Sequence, residues 1–315
     1  MSGLSQADPL LGDALVRIAR EVDGLFDALL PDWDDGRAEL CRAMRHAAIG
    51  GGKRLRPLLL TATAEMYGAD RSQALRAGVA IEAIHAYSLV HDDLPCMDDD
   101  AMRHGKPSVH KAFGEAAAVL AGDALQSFAF EVLADPATSG DPFVRAELVR
   151  VLALASGAGG MAGGQMMDIA GEGQALDLPA ITRLQQLKTG ALLGAAVEMG
   201  AILGRVPPEG RVHLKGYARD IGLAFQIADD LLDHAGDAAK MGKAVGKDAA
   251  QGKQTFVAVV GEERAREQAQ MLVEQAIAGH RPHEPQGAPS GQGGALHPAI
   301  PHGRRAPGRR HHGHP

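Results

Sequence analysis

Apolar residues at the N-terminal end of the chain recur at the spacing of an α-helix. The positions are separated by three or four residues, which places them on one helical face; they are Leu11, Leu15, Ile18, Val22, Leu25 and Leu29. Similar periodicity continues to about Ala278, and strand-like alternation is hard to find. The pattern predicts an all-α protein, a single-domain bundle of about ten helices.

Gly and Pro residues interrupt this periodicity at several places. Because both residue types break helices, the stretches between them define segments of helical length. The interruptions lie at 50–52, 135–136, 207–208 and 236–252. We therefore expect one domain over residues 1–278, with no obvious internal repeat.

The composition changes abruptly at Gly279. Residues 279–315 hold half of the chain's 14 His, are dense in Pro and Gly, and have almost no large apolar side chain. Such a segment cannot bury enough surface to order itself. We expect a disordered tail, and the sharp switch in composition suggests a reading-frame shift as its origin. A tail that binds nucleic acid or metal is the alternative, because His and Arg suit either purpose.

Composition narrows the function classes. An apolar fraction of 45% is enough for a sizeable core, and a net charge of -7 gives no basic surface for nucleic acid. No apolar run approaches the roughly 20 residues of a membrane span, and the N-terminus lacks the pattern of a signal peptide. The two cysteines, Cys41 and Cys96, are too few for a disulfide framework. We expect a cytoplasmic protein with reduced thiols.

Two aspartate clusters carry the strongest chemical signal. Residues 92–98 read DDLPCMD and residues 229–233 read DDLLD, each within apolar surroundings. Carboxylates give Mg²⁺ one or two ligands each and leave other positions to water and substrate phosphates. Two clusters that face each other would hold several ions and one diphosphate.

The local geometry of each cluster supports this interpretation. Asp229 and Asp233 are four residues apart, so their carboxylates stack one turn apart on a helix. Pro95 disturbs the end of the first helix, which lets Asp98 turn back toward Asp92. Acids at a helix C-terminus oppose the helix dipole, a cost that suggests a bound cation. A solvated acidic helix face and a plain acidic turn remain as alternatives, whereas the ligand spacing of a calcium-binding EF-hand is absent.

Basic residues complement the acids. The stretch GGKRLRP at 51–57 presents Lys53 and Arg56 next to glycines, without the Ser or Thr of a Walker A motif. Further donors suited to diphosphate oxygens lie at Arg103, Lys106, Lys188-Thr189 and in the loop 242–248. Each alone is more often a surface charge, so their recurrence beside the aspartates carries the argument.

Five segments together resemble the trans-isoprenyl diphosphate synthases, in particular the bacterial farnesyl diphosphate synthases. They are IEAIHAYSLVHDDLPCMDDD, GGKRLRP, LKTG, FQIADDLLD and GKAVGKD, and the resemblance covers about residues 10 to 278. It implies the isoprenoid synthase fold, helices around a central diphosphate and magnesium cavity, in a homodimer that uses up to three Mg²⁺ ions. The implied reaction condenses isopentenyl diphosphate with dimethylallyl or geranyl diphosphate to give farnesyl diphosphate.

The resemblance also assigns site residues. The metal ligands would be Asp92, Asp93, Asp98, Asp229 and Asp233. The allylic diphosphate would be held by Arg103, Lys188, Thr189, Gln226, Lys243 and Lys253. Isopentenyl diphosphate would be held by Lys53, Arg56, His85 and the residue at position 104. The catalytic set would be Asp92, Asp93, Asp98, Arg103, Lys188 and Asp229, supported by Gln165 and Asp168.

Two positions bear on product length and substrate binding. Tyr87, with its neighbour Ser88, lies about 7 Å along the helix from Asp92, at roughly 1.5 Å per residue; the resemblance associates an aromatic residue here with a C15 product. The family carries two adjacent arginines where this chain has Arg103-His104. A His that is charged only in part near neutral pH predicts weaker binding of isopentenyl diphosphate.

Other functions remain open on these observations. A geranylgeranyl diphosphate synthase would differ only in pocket depth, and a catalytically impaired homologue would bind diphosphate without turnover. The second aspartate cluster argues against a class I terpene cyclase.

Overall fold

The computed structural model describes residues 9–234 and 255–280, and these fold almost entirely into helices. Within these ranges the α-helices are, in chain order, α1 (Pro9–Leu29), α2 (Ala38–Ala48), α3 (Leu55–Met66), α4 (Arg71–Asp92), α5 (Val109–Phe113), α6 (Glu115–Ala134), α7 (Pro142–Ser156), α8 (Met161–Gly171), α9 (Leu178–Gln185), α10 (Ala191–Leu203), α11 (Arg211–His234), α12 (Phe256–Val260) and α13 (Glu262–His280). Because α5 and α12 are single short turns, the all-α prediction of about ten helices is confirmed.

Three smaller elements join these helices. A π-helix, Gln186–Gly190, connects α9 to α10, and a 3₁₀ turn, Pro208–Gly210, precedes α11. Between α4 and α5 the chain forms a short antiparallel ribbon of β1 (Met102–Arg103) and β2 (Lys106–Pro107), in which Arg103 pairs with Lys106. The sequence pattern did not predict this ribbon.

Helix α4 lies at the centre of the bundle. It packs against α6 and α3, and also against α1, α2 and α10. Its buried residues are distributed around the whole helix, so it lacks the polar face of a surface helix. A helix enclosed in this way presents its C-terminal end, with the first aspartate cluster, to the interior of the bundle.

The ends of α4 follow from its sequence. Asp70 caps the N-terminus, since its side chain accepts hydrogen bonds from the backbone N–H of Ser72 at 2.9 Å and of Gln73 at 3.1 Å. At the other end the helix stops at Asp92, and the Asp98 N–H donates to the Asp92 carbonyl at 2.8 Å. The predicted return of Asp98 toward Asp92 is therefore confirmed.

The C-terminal helices build a second apolar cluster. Helix α11 packs along α13, and Ile227 and Leu231 of α11 meet Phe256 and Val257 of α12 and Leu272 of α13. This packing fixes the helix that carries the second aspartate cluster. Helix α13 confirms that the helical periodicity continues to about Ala278, whereas the expectations for the tail beyond His280 concern residues outside the described ranges.

Helix α6 is the one helix in the described ranges whose length and apolar composition resemble those of a membrane span. Its residues Ala121, Leu125 and Ala129 are fully buried, and the helix packs against α4 and α2. The composition of α6 is therefore explained by its position in the core.

Candidate functional site

Several of the predicted motifs meet in one cavity of about 390 Å³. Its walls come from the start of α3, the second half of α4, α8 and the π-helix. Eight residues singled out from the sequence line it: Arg56, His85, Tyr87, Ser88, Asp92, Gln165, Lys188 and Thr189. Residues that are up to 133 positions apart thus surround a single space.

Most of the other lining residues of this cavity are apolar. They include Leu89, Met97, Met161, Met166 and Ile169, together with His91. Tyr87 stands among them, and its ring makes an edge contact with His91 at 5.8 Å between centroids. The cavity therefore combines charged and apolar lining residues.

The first aspartate cluster is under electrostatic strain. The pKa of Asp92 is raised to about 6: burial is the largest cause and the neighbouring carboxylates Asp98 and Asp93 add to it, while Lys188 and Arg103 lower the pKa. Crowded, partly buried carboxylates of this kind are the arrangement that a divalent metal relieves.

Asp93 and Arg103 are paired with each other. The guanidinium of Arg103 donates from Nε to Asp93 Oδ1 at 3.0 Å, and its Nη2 lies 3.2 Å from Asp100 Oδ2. Burial raises the pKa of Asp93, and the contact with Arg103 opposes that rise. The family resemblance assigns Asp93 to metal and Arg103 to diphosphate, and in this structure the two side chains form an ion pair with each other.

Lys188 is held by a residue of another helix. Its Nζ lies 2.6 Å from Asp168 Oδ2 of α8. The two elements approach closely at Gly164, because an added Cβ there would lie 2.2 Å from the Lys188 backbone nitrogen. The π-helix, a distortion often found at functional sites, carries Lys188 and Thr189 into the cavity. Asp168 therefore supports Lys188, as its motif suggested.

The loop 50–54 contains a buried ion-pair network that the sequence analysis missed. Arg54 donates from Nη1 to Glu82 Oε1 at 2.9 Å and from Nη2 to Asp23 Oδ1 at 2.6 Å. Gly50 and Gly52 adopt positive φ, as a tight turn requires, and Arg54 is also left-handed at φ 51°. The signal for this network was Glu82, an isolated acid within the apolar run of α4 that needs a buried partner.

Arg56 and His85 lie on the same side of the cavity. Burial lowers the pKa of Arg56, an effect opposed by Glu82 and by Asp229 of the second cluster, so α11 lies within electrostatic reach of this wall. Burial and the cationic neighbours, Arg56 first, lower the pKa of His85 well below its ordinary value. His85 is therefore a neutral hydrogen-bonding group at physiological pH.

Lys53 is exposed and connects this region to α11. Its Nζ lies 5.9 Å from the centre of the Phe225 ring, within the range of a cation–π contact. The glycine-rich loop at the start of α3 is thereby close to the helix of the second cluster.

The expectation that His104 is partly charged near neutral pH is wrong. Burial, together with the cations Arg103, Arg54 and Lys106, lowers its pKa to about 4. The ring lies against the glycine loop, where an added Cβ at Gly51 would come within 2.7 Å of His104 Nδ1. Part of His104 remains exposed to solvent, and a pKa of about 4 leaves the imidazole neutral between pH 6 and 8.

In the second aspartate cluster, the structure describes the side chains of Asp229 and Asp230. Asp229 and Asp233 both lie on α11, and the side chain of Asp233 lies outside the described part of the structure, as do Lys243 and Lys253. Asp230 is buried and accepts hydrogen bonds from Gln185 Nε2 at 3.1 Å, from Gln226 Nε2 at 3.4 Å and from the Phe256 N–H at 3.1 Å. The middle aspartate thus joins α9, α11 and α12.

The donor set fits a hard divalent cation. Among the described side chains no group of three or more His, Cys, Asp or Glu is arranged closely enough to hold a metal ion. The available donors are carboxylate oxygens, which Mg²⁺ prefers, and the raised pKa of Asp92 indicates that a cation would stabilise the cluster. Asp233, which completes the second cluster, is not among the described side chains.

Comparison with known proteins agrees with this arrangement. A family model described as polyprenyl synthetase matches residues 37–288. The farnesyl diphosphate synthase of Escherichia coli is 45% identical over 268 residues, covering 84% of this chain and 88% of that protein. An apo structure of an FPP/GFPP synthase from Zymomonas mobilis is similar with a TM-score of 0.78 and 55% identity, over 85% of this chain and 91% of that chain. A geranyltransferase from Helicobacter pylori, solved in complex with magnesium and isoprenyl diphosphate, has a TM-score of 0.75 at 30% identity, over 87% of this chain and 91% of that one.

Proposed function

The chain belongs to the polyprenyl synthetase family, and from this we propose that it is a farnesyl diphosphate synthase. In the proposed reaction it condenses isopentenyl diphosphate with dimethylallyl or geranyl diphosphate. The observation that carries the proposal is a single cavity lined both by the charged groups Asp92 and Lys188 and by the apolar side chains of Met161 and Ile169, with Tyr87. An allylic diphosphate has the same division into a charged head and an apolar tail.

Binding of the allylic substrate follows from the charges around the cavity. Lys188 and Thr189 would orient the diphosphate, with Arg103, Gln226, Lys243 and Lys253 as further donors from matching motifs. The aspartates of the two clusters, Asp92, Asp93 and Asp98 with Asp229 and Asp233, would hold Mg²⁺. Magnesium, when bound, supplies positive charge that neutralises the departing diphosphate.

The reaction begins with cleavage of the allylic carbon–oxygen bond. Lys188 and Arg103 stabilise the negative charge that develops on the leaving diphosphate, a contribution realised mainly in the transition state. The apolar walls exclude water, which would otherwise trap the allylic cation as an alcohol. The isopentenyl double bond then attacks the cation, a carbon–carbon bond forms, and the released diphosphate accepts the proton that is lost.

The second substrate would lie beside Arg56, Lys53 and His85. Arg56 offers a forked donor to phosphate oxygens, and the exposed Lys53 adds a second positive charge. Because His85 is neutral, it would contribute a hydrogen bond rather than a charge.

The proposed function is tested by product analysis. The purified chain is incubated with Mg²⁺, labelled isopentenyl diphosphate and geranyl diphosphate, and chain length is read by chromatography. We expect a C15 product, and none when Mg²⁺ is removed by chelation. A C20 main product would identify a geranylgeranyl diphosphate synthase instead, and absence of any condensation would contradict the proposal.

Tyr87→Ala should lengthen the product. The growing chain extends into the apolar depth of the cavity and stops where it meets a bulky side chain, so removal of the ring beside Ser88 should shift the main product to C20 or longer. Tyr87→Phe is the matched control, because it keeps the ring and loses only the hydroxyl, and it should retain C15. An active Tyr87→Ala enzyme with an unchanged product distribution would exclude this role.

His104→Arg should strengthen binding of isopentenyl diphosphate. A permanent charge with a forked donor would replace a neutral imidazole, and one charge-assisted hydrogen bond corresponds to a decrease in KM on the order of tenfold. Steady-state kinetics at pH 6 and pH 8 check this. Because the pKa of His104 is about 4, the neutral control His104→Gln should leave KM unchanged at both pH values. A rise in the KM of that control at pH 6 alone would show that His104 is protonated there.

We also propose that the chain acts as a homodimer in the cytoplasm, as the family resemblance implies. Apolar side chains remain exposed on two neighbouring helices: Val119 and Leu120 on α6 and Phe143, which is 83% exposed, on α7. These exposed side chains are candidates for the dimer contact.

A further inference from the structure

A second cavity, larger than the reaction cavity, lies between α7, α10 and α11. Its volume is about 530 Å³, against about 390 Å³ for the reaction cavity. The two cavities share one wall, since the π-helix contributes Lys188 and Thr189 to the reaction cavity and Gln186 and Gly190 to the second one. No role in the proposed reaction requires this second space.

The second cavity is open on the side of α10 and α11 because the residues that line it there have small side chains or none. Ala191, Gly194 and Gly222 line it on α10 and α11. An added Cβ at Gly194 would meet nothing within 4 Å, so the space in front of this residue is open. Val151, Leu154 and Leu223 add apolar surface. Pockets of this volume, apolar with a few polar groups, have the dimensions of small-ligand sites.

The polar groups of the second cavity favour an anion. Three cations line it, of which Lys215 is paired with Glu198 at 3.0 Å and Arg219 with Asp220 at 3.1 Å. Arg150 on α7 makes no ion pair or hydrogen bond with any other described residue. A cation without a partner beside an apolar hollow matches an anionic head on an apolar chain.

A buried amide in the same wall lacks a partner. Gln185 is only 8% exposed, and its Oε1 accepts no hydrogen bond from the described residues, while its Nε2 donates to Asp230. Gln185 Oε1 is therefore an acceptor with unused hydrogen-bonding capacity in this wall. Gln185 thereby connects the second cavity to Asp230, the residue next to Asp229 in the second aspartate cluster.

We propose that the second cavity binds an anionic amphiphile, a phosphorylated apolar chain, and that its occupancy changes catalysis through the π-helix. The head group would pair with Arg150 and the chain would fill the hollow at Gly194. A ligand that moves Gln186 or Gly190 also moves Lys188, because all three belong to one five-residue helix. The binding stands on the cavity alone, whereas the effect on catalysis rests on the proposed function.

The direct test is calorimetric titration of the full chain, without Mg²⁺, with two probes, dodecyl phosphate and farnesyl phosphate. Gly194→Leu should fill the hollow and remove one binding site for both probes. Arg150→Glu, a surface change that keeps the cavity, should weaken the same site at least about tenfold. Preference for the branched probe would identify an isoprenoid ligand, and preference for the linear probe a lipid phosphate. Binding that both variants leave unchanged, or no binding at a second site, would overturn the proposal.

The catalytic arm uses dodecyl phosphate as an inhibitor of condensation. Inhibition through the second cavity should lower kcat without competing with the allylic substrate, and it should disappear in Gly194→Leu, whose activity without the probe should resemble that of the wild type. Purely competitive inhibition that persists in this variant would place the probe in the reaction cavity and overturn the coupling. If condensation is absent in every protein while binding is retained, the proposed function fails and the site does not.

Discussion

Asp92→Asn should lower kcat by at least about 10²–10³-fold, the loss typical when one preorganised electrostatic group is removed. The substitution keeps the shape of the side chain and removes its charge, so the change isolates the role of the carboxylate as a metal ligand. Asp92 carries a pKa of about 6 because it is buried among other carboxylates, the condition that a bound cation relieves. Turnover with geranyl and isopentenyl diphosphate over a series of Mg²⁺ concentrations measures the effect.

The same cluster supplies a matched control. Asp99 lies seven residues after Asp92, but its side chain is 61% exposed and lies 3.6 Å from Lys111. Asp99→Asn removes the same charge from the same loop, and Asn tolerates the left-handed φ of 46° at this position. It should retain nearly full activity and the wild-type Mg²⁺ requirement.

The two variants together separate ligation from net charge. If Asp92→Asn has near-wild-type turnover, leaving-group activation does not depend on this cluster. If both variants lose activity equally, the cluster acts through its overall charge and not through a specific ligand. Asp229→Asn should behave like Asp92→Asn, since the second cluster faces the same substrate in the proposed mechanism.

The helical architecture could be predicted because amphipathic periodicity is a local property. Helix α1 shows it most clearly, with Ile18, Val22 and Phe26 fully buried on one face. Helix α4 is buried on nearly all sides, so its pattern indicates a core helix without saying which face carries the chemistry. The turn after α4 was also predictable, because Pro95 acts within a few residues of Asp92 and Asp98.

The partners of the charged residues could not be predicted in this way. Arg54 with Glu82 and Lys188 with Asp168 are pairs between residues 28 and 20 positions apart, which meet only after the helices pack. The protonation state of His104 likewise depends on burial against Gly51 and on Arg54. A sequence motif identifies residue types suited to a reaction, whereas packing decides which of them are charged and which are paired.

For helix α6 the sequence leaves its environment open, since length and composition alone do not distinguish a core helix from a membrane span. Val119 is exposed whereas Leu125 of the same helix is buried, and this difference depends on which neighbouring helices cover each position. Those neighbours, α4 and α2, are distant in the chain, so composition carries no information about them.

Gly164→Ala should disable the site without replacing any residue that contacts substrate. The added Cβ would lie 2.2 Å from the Lys188 nitrogen and 2.6 Å from its Cα, and since both are backbone atoms, the π-helix has to move. A displacement of about 1 Å in a positioning element costs on the order of 10²-fold in rate, and overpacking of this kind lowers the free energy of unfolding by about 1–3 kcal/mol.

The matched control is Gly216→Ala on α11, where an added Cβ meets nothing within 4 Å. This change should be neutral or stabilise the helix by up to about 1 kcal/mol, because Ala has the higher helix propensity. Kinetics and thermal unfolding of both variants are compared with the wild type, and circular dichroism checks that helix content is retained. The expected result is a folded Gly164→Ala protein with a large loss of kcat and a lowered Tm. Wild-type kcat in that variant would show that the contact between α8 and the π-helix does not position Lys188, and the coupling of the Lys188–Asp168 pair to catalysis would have to be abandoned.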